Sequence, residues 1–196
     1  ITTMFFSPTG GTRQVVRTLS NQIESEETKE LDITQKLNRE RGIIETTDDT
    51  DLLIVGAPVY EGRVPPVVRQ YLRECAFVNV PAVATVTYGN ASLGEAPRQL
   101  IELLNASGAN VLGYGAFVAE HSFTRPSGIV NAAEGRPDAQ DMEKVQEFAT
   151  AINRYGPLFE TGHGKIIPSE IPGELTFAQR LLPEGFLGSF GYPSQV

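Results

Sequence analysis

Ser7-Pro8-Thr9-Gly10-Gly11-Thr12 sets three hydroxyls and two glycines into six residues, directly after the apolar run Thr3-Met4-Phe5-Phe6. Beyond it, Val15, Val16, Leu19 and Ile23 recur at the spacing of one helical face. A buried strand, a glycine-bearing turn and an amphipathic helix are therefore expected in that order. Backbone N–H groups at such a turn, reinforced by the helix dipole, form a site for a phosphate, and the hydroxyls add donors without adding charge. An N-capping turn would need only one of those hydroxyls. A P-loop is excluded because no lysine follows the second glycine, and the glycine fingerprint of dinucleotide-binding folds is absent as well.

The same alternation runs outwards along the chain. Leu31 and Ile33 mark a weaker second strand, and residues 35–47 read as a short polar helix or a loop. Asp51-Leu52-Leu53-Ile54-Val55-Gly56 is an apolar run bounded by turn residues, the pattern of a central parallel strand covered on both faces. Val68, Tyr71, Leu72 and Cys75 mark a helix introduced by Pro65-Pro66, and Ala82 to Thr87 reads as a fourth strand. Leu100, Ile101, Leu103 and Leu104 mark a helix ended by Gly108, and Val111 to Val118 a fifth strand. After a long loop from Ala119 to Pro137, the residues Met142, Val145, Phe148, Ala149 and Ile152 form the last amphipathic face. Five strands alternating with helices predict an α/β, doubly wound parallel sheet with helices on both faces. Ligands in that class bind beyond the carboxyl ends of the strands, where the strand order reverses.

A length of 196 residues suits one domain, expected over 1–155, followed by a Pro/Gly-rich tail or linker over 156–196. Periodicity fades in that tail, yet Phe177, Leu181, Leu182, Phe186, Leu187 and Phe190 are too apolar for a solvated linker, so it is expected to cover a surface in cis or on a second copy, as in a homodimer. The composition is that of ordinary globular protein and excludes collagen, mucin and coiled coil. A formal net charge of -8 repels a phosphate backbone, so no nucleic-acid partner is expected. No apolar run approaches the roughly 20 residues of a membrane span, and the start carries no basic signal region; no membrane insertion and a cytoplasmic location are expected. Ile1 in place of Met points to a processed or trimmed chain. Cys75 is the only cysteine and there are two histidines, which excludes an internal disulfide and leaves no zinc or haem ligand set; an iron–sulfur cluster would have to lie outside this chain. No nucleophile elbow occurs.

The loop at 7–12 resembles the phosphate loop of flavodoxins in spacing and in its place after the first strand. VGAPVYEGRVPP at 55–66, AEHSF at 119–123 and GRPDAQD at 135–141 are similar to a narrower group, the flavodoxin portion of bacterial and archaeal proteins that fuse this domain to a 4Fe-4S ferredoxin module. The resemblance spans residues 1 to about 155 and implies a flavodoxin-like sheet of order 2-1-3-4-5. It also implies FMN as cofactor, with Ser7, Thr9, Gly10, Gly11 and Thr12 around its phosphate. In that group the cluster cysteines follow a proline-rich tail; none stands in this sequence.

Three further stretches become candidates for the flavin. Pro58, Val59, Tyr60, Glu61 and Gly62 bring an aromatic and a glycine to the mouth of the sheet, where Tyr60 can lie on the ring and a peptide near Glu61-Gly62 can turn its carbonyl towards N5; a rim aromatic and a plain turn account for the same residues. Thr87, Tyr88, Gly89 and Asn90 occupy the loop after strand four, with Tyr88 the second stacking candidate and a simple turn the alternative. His121 titrates near neutrality and can donate to flavin or substrate, or be a surface group. Three functions follow. The preferred one is an FMN electron carrier exchanging electrons with iron–sulfur clusters of a redox partner or fused ferredoxin module. The second is an FMN-dependent NAD(P)H:quinone-type oxidoreductase with an open pocket over the ring. The third is a cofactor-less interaction domain, against which the intact phosphate loop argues.

Overall fold

Neighbouring side chains along β1 (Thr2–Phe5) and β3 (Leu53–Pro58) leave the sheet in opposite directions, and both directions are buried. Met4, Leu53, Val55 and Ala57 join one apolar cluster, Phe5 and Ile54 the other. That double burial is why the 51–56 run carries no polar alternation. In this computed structural model, which describes residues 1–40, 50–120 and 133–159, these strands join β2 (Lys29–Asp32), β4 (Pro81–Tyr88) and β5 (Asn110–Val118) in one parallel sheet. Its order is β2-β1-β3-β4-β5, as the resemblance implies.

Two helices cover each face. On the Phe5 side, α1 (Gly11–Asn21) contributes Val15, Val16 and Leu19, and α5 (Ala139–Phe159) contributes Val145, Ala149 and Ile152. Opposite them, α3 (Pro66–Glu74) contributes Val68, Tyr71 and Leu72, and α4 (Ala96–Ala106) contributes Leu100, Ile101 and Leu104. Full burial of each such aliphatic or aromatic side chain contributes roughly 1.5–3 kcal/mol before entropy is counted. The fifth helix, α2 (Lys36–Glu40), buries no residue and accounts for part of the segment read as helix or loop; residues 41–49 lie outside the described residues. The last helix runs past residue 155, and the tail from 160 onwards also lies outside them. Among the described residues no helix is long and apolar enough to cross a membrane.

From β1 the chain passes outwards to β2, then crosses back over β1 to β3. The loops after β1 and β3 therefore part in opposite directions and leave a crevice at the carboxyl edge. The seat of α1 above that crevice depends on Gly56. A Cβ there would stand 2.4 Å from Val16 Cγ2 and 2.9 Å from Thr12 Cγ2. Gly56→Ala is expected to lower stability by about 1–3 kcal/mol through overpacking under α1. Urea unfolding of the variant checks this, and an unchanged midpoint would contradict the close seating.

Candidate functional site

The chain from Ser7 to Thr12 is tied at both ends. Ser7 N–H donates to Thr34 Oγ1 at 2.7 Å, Ser7 Oγ accepts from Arg13 N–H at 2.9 Å, and Gly10 N–H donates to the Ser7 carbonyl at 3.3 Å. Gly10, with φ 93°, is the residue at which the chain turns into α1. A helix leaves its first N–H groups without helical acceptors. Here Arg13 is capped by Ser7 and Gln14 donates to the Gly10 carbonyl, while the N–H groups of Gly11 and Thr12 have no protein acceptor among the described residues. The exposed Thr9 hydroxyl stands at the same mouth. Thr12 is buried and shares a hydrogen bond of 2.8 Å with Thr87 Oγ1, so its hydroxyl also fastens the loop to β4.

Facing this turn is a narrow cleft of about 40 Å³, lined on one side by Pro58, Val59 and Tyr60 and on the other by Thr87, Tyr88 and Gly89, with Thr9, Gly11 and Thr12 at its end. Glu61 and Gly62 do not line it. Tyr60 and Arg63 exchange both backbone hydrogen bonds at 2.9 Å, and Glu61 (φ 53°) and Gly62 (φ 75°) make the two-residue turn between them a type I′ hairpin. The Gly62 carbonyl accepts from Glu95 N–H at 2.7 Å. A Cβ on Gly94 would meet the Gly62 backbone at 2.4 Å. The hairpin tip is thereby locked to the loop before α4. Asn90 is an exposed left-handed turn residue two positions past β4 and does not line the cleft, and His121 lies outside the described residues.

A second, larger cavity of about 530 Å³ opens on the other side of the turn. One wall is the polar face of α1, and the other is Ala119, Glu120, Arg136 and Pro137, joined by a hydrogen bond from Glu120 N–H to the Arg136 carbonyl at 2.9 Å. Sequence reasoning missed Arg136. Its guanidinium pairs with both oxygens of Asp141, which is 1% exposed, and with Asp138 at 3.1 Å. Asp138 and Asp141 each accept the other's N–H, at 2.9 and 3.1 Å, a reciprocal cap at the start of α5 that the Asp-x-x-Asp spacing before an amphipathic run could have revealed. The hydrogen bond to Asp141 raises the pKa of Arg136, which also stands within electrostatic reach of Tyr88. Burial alone would push the Asp141 carboxyl up, but the hydrogen bonds from Arg136 and Asp138 and the charge of Arg136 outweigh it and hold it below the usual range.

No protein-family model matches the chain, and no curated protein sequence matches it either. Solved structures do. Oxidised flavodoxin 1 from Bacillus cereus superposes with a TM-score of 0.53 at 19% identity, over 79% of this chain and 97% of that one. The fold is that of the flavodoxins. Two-electron-reduced Megasphaera elsdenii flavodoxin gives 0.50 at 17% identity over 77% and 99% of the two chains. A short-chain flavodoxin associated with a non-canonical PDU bacterial microcompartment gives 0.50 at 13%, over 79% and 97%.

On this flavodoxin frame, the two unpaired N–H groups and the Thr9 hydroxyl form a donor set suited to one phosphate monoester. The ring cleft is far smaller than the roughly 300 Å³ of a typical ligand pocket, so a flavin ring enters only if the half-buried Tyr60 and Tyr88 side chains part, a side-chain adjustment common on binding. Ser7 shapes the loop from beneath and does not line either cavity.

The depressed pKa of Asp141 carries a pH signature. Stability from its pairing is complete above its unfolded pKa of about 4 and is lost as the pH falls through the lower folded value. Urea midpoints followed from pH 7 to pH 3 should fall more steeply for the parent chain than for Asp141→Asn, which starts lower. Parallel curves would show that the pair contributes nothing to folding.

Proposed function

We propose that this chain binds FMN non-covalently and serves as an electron carrier, with iron–sulfur clusters of a partner protein or of a ferredoxin-type module as its redox partner. The observation that carries this reading is the pair of unpaired N–H groups of Gly11 and Thr12 beside the Thr9 hydroxyl, opening onto a cleft rimmed by two tyrosines. Bound FMN supplies one- and two-electron redox chemistry. The turn from Thr9 to Thr12 holds the phosphate, and Tyr60 and Tyr88 flank the ring and shield it from water. The Tyr60–Arg63 hairpin, pinned through Gly62 to Glu95, keeps that rim from collapsing. A net charge of -8 favours a transient, electrostatically steered encounter with a basic partner face. Shielding by both rims, with the larger cavity on the phosphate side and not over the ring, favours a carrier over an enzyme that stacks a nicotinamide on its flavin.

The purified protein, supplied with FMN, should show flavin bands that dithionite bleaches under anaerobic conditions and NADPH does not. Bleaching by NADPH at a catalytic rate would replace the carrier with a reductase. Thr9→Ala should weaken FMN binding by about 1.5–3 kcal/mol, roughly 10- to 100-fold in Kd, because a donor to a charged phosphate is removed. An unchanged Kd would refute the phosphate assignment.

A further inference from the structure

A lone phosphate monoester leaves the 530 Å³ cavity unexplained. Its floor is the exposed stripe of α1, in which Gly10, Arg13, Gln14, Arg17, Thr18 and Asn21 follow one another at helical spacing. Thr9, Gly11, Ala119 and Glu120 line this cavity and the ring cleft alike, so the two meet at the phosphate turn. A molecule seated with its phosphate on Gly11 and Thr12 and its ring between Tyr60 and Tyr88 therefore has a second exit, running along α1. The volume lies within the roughly 300–1,000 Å³ of small-molecule sites.

The charges along that exit are unequally committed. Arg17 makes a two-pronged pair with Glu30 at 2.7 Å, and that hydrogen bond both raises the arginine's pKa and lowers the carboxyl's. Arg136 is held by Asp138 and Asp141. Arg13 pairs with no carboxylate among the described residues, although Glu30 feels its charge. Its guanidinium lies over the turn, 3.6 Å from where a Cβ of Gly10 would stand. Arg13, unpaired by any carboxylate among the described residues, shares the junction with Glu120 and is followed by the amide and hydroxyl groups of Gln14, Thr18 and Asn21; the cation suits a second phosphoryl group, and the neutral donors a polar sugar and base. Among the described residues the lining holds no aromatic ring, and its polar groups offer hydrogen bonds and charge.

The geometry points to a nucleoside phosphate subsite in this cavity, next to the flavin phosphate, filled either by the second half of a dinucleotide flavin or by a separate nucleotide. The inference rests on the flavin reading of the turn and changes what stands beside FMN. A tethered nucleoside phosphate adds contacts without a second loss of translational freedom, so FAD gains over FMN.

Calorimetric titrations of the full chain with riboflavin, FMN and FAD, and of the FMN-loaded chain with ADP, test it. FAD binding at least about tenfold tighter than FMN assigns the tethered form, and ADP binding to FMN-loaded protein assigns the separate nucleotide. In either case Thr18→Trp, which fills the cavity away from the phosphate turn, should abolish the gain and leave FMN affinity unchanged. Arg13→Gln should weaken FAD or ADP by about tenfold without bulk that could disturb folding. FMN binding with no advantage for FAD and no ADP binding would overturn the subsite and leave the flavin reading standing. Failure of every flavin to bind would overturn both.

Discussion

The close seating of α1 on β3 is the constraint on which the carboxyl edge depends. It exists because Gly56 lacks a side chain where Val16 and Thr12 come down onto the sheet. A helix standing further out would carry Gly11 and Thr12 away from the crevice between β1 and β3, and Thr12 would lose the hydroxyl of Thr87. The dipole of α1 would then point at solvent. One missing methyl group thus couples core packing to the position of the only helix start that faces the crevice with unpaired N–H groups among the described residues.

Most of the fold was legible in the sequence because its signals are local. The apolar run at 51–56, the helical stripe Val15, Val16 and Leu19, and the proline pair before α3 each reflect contacts that repeat every two or three to four residues. The turn between β1 and α1 was legible for the same reason, since its hydroxyls and glycines are contiguous. The remaining features of the site rest on pairs that are distant in the chain. Thr12 meets Thr87 across 75 residues, and Gly62 meets Gly94 and Glu95 across the top of two βα units. No periodicity encodes such meetings. Glu61 and Gly62 were read from an aromatic beside a glycine at the mouth of the sheet, with a plain turn as the alternative; their positive φ values form a hairpin turn whose docking on Glu95, 33 residues on, no local pattern encodes. Arg136 was hidden for another reason: its partners define the start of α5, and a capping pattern made of aspartates reads as ordinary surface charge.

Charge at the site is arranged by neutralisation. Arg17 faces Glu30 and Arg136 faces two aspartates, so a strongly acidic chain keeps cations at this rim without a net basic patch. On the proposed reading a phosphate there would be held chiefly by oriented donors, which salt screens less than it screens bare charge, with Arg13 the rim cation left without a carboxylate partner among the described residues.

The loops around the crevice are also joined to one another. Val59 N–H donates to the Thr87 carbonyl, Ala119 N–H to that of Tyr88, and Glu120 N–H to that of Arg136. The first two tie the residues just past β3 and β5 to the last two residues of β4, and the third joins the two described ends of the connection between β5 and α5. The end of β4 is thus a shared acceptor for both sides of the crevice wall, and fraying of Thr87 and Tyr88 would release the amides of Val59 and Ala119 to hydrogen exchange together.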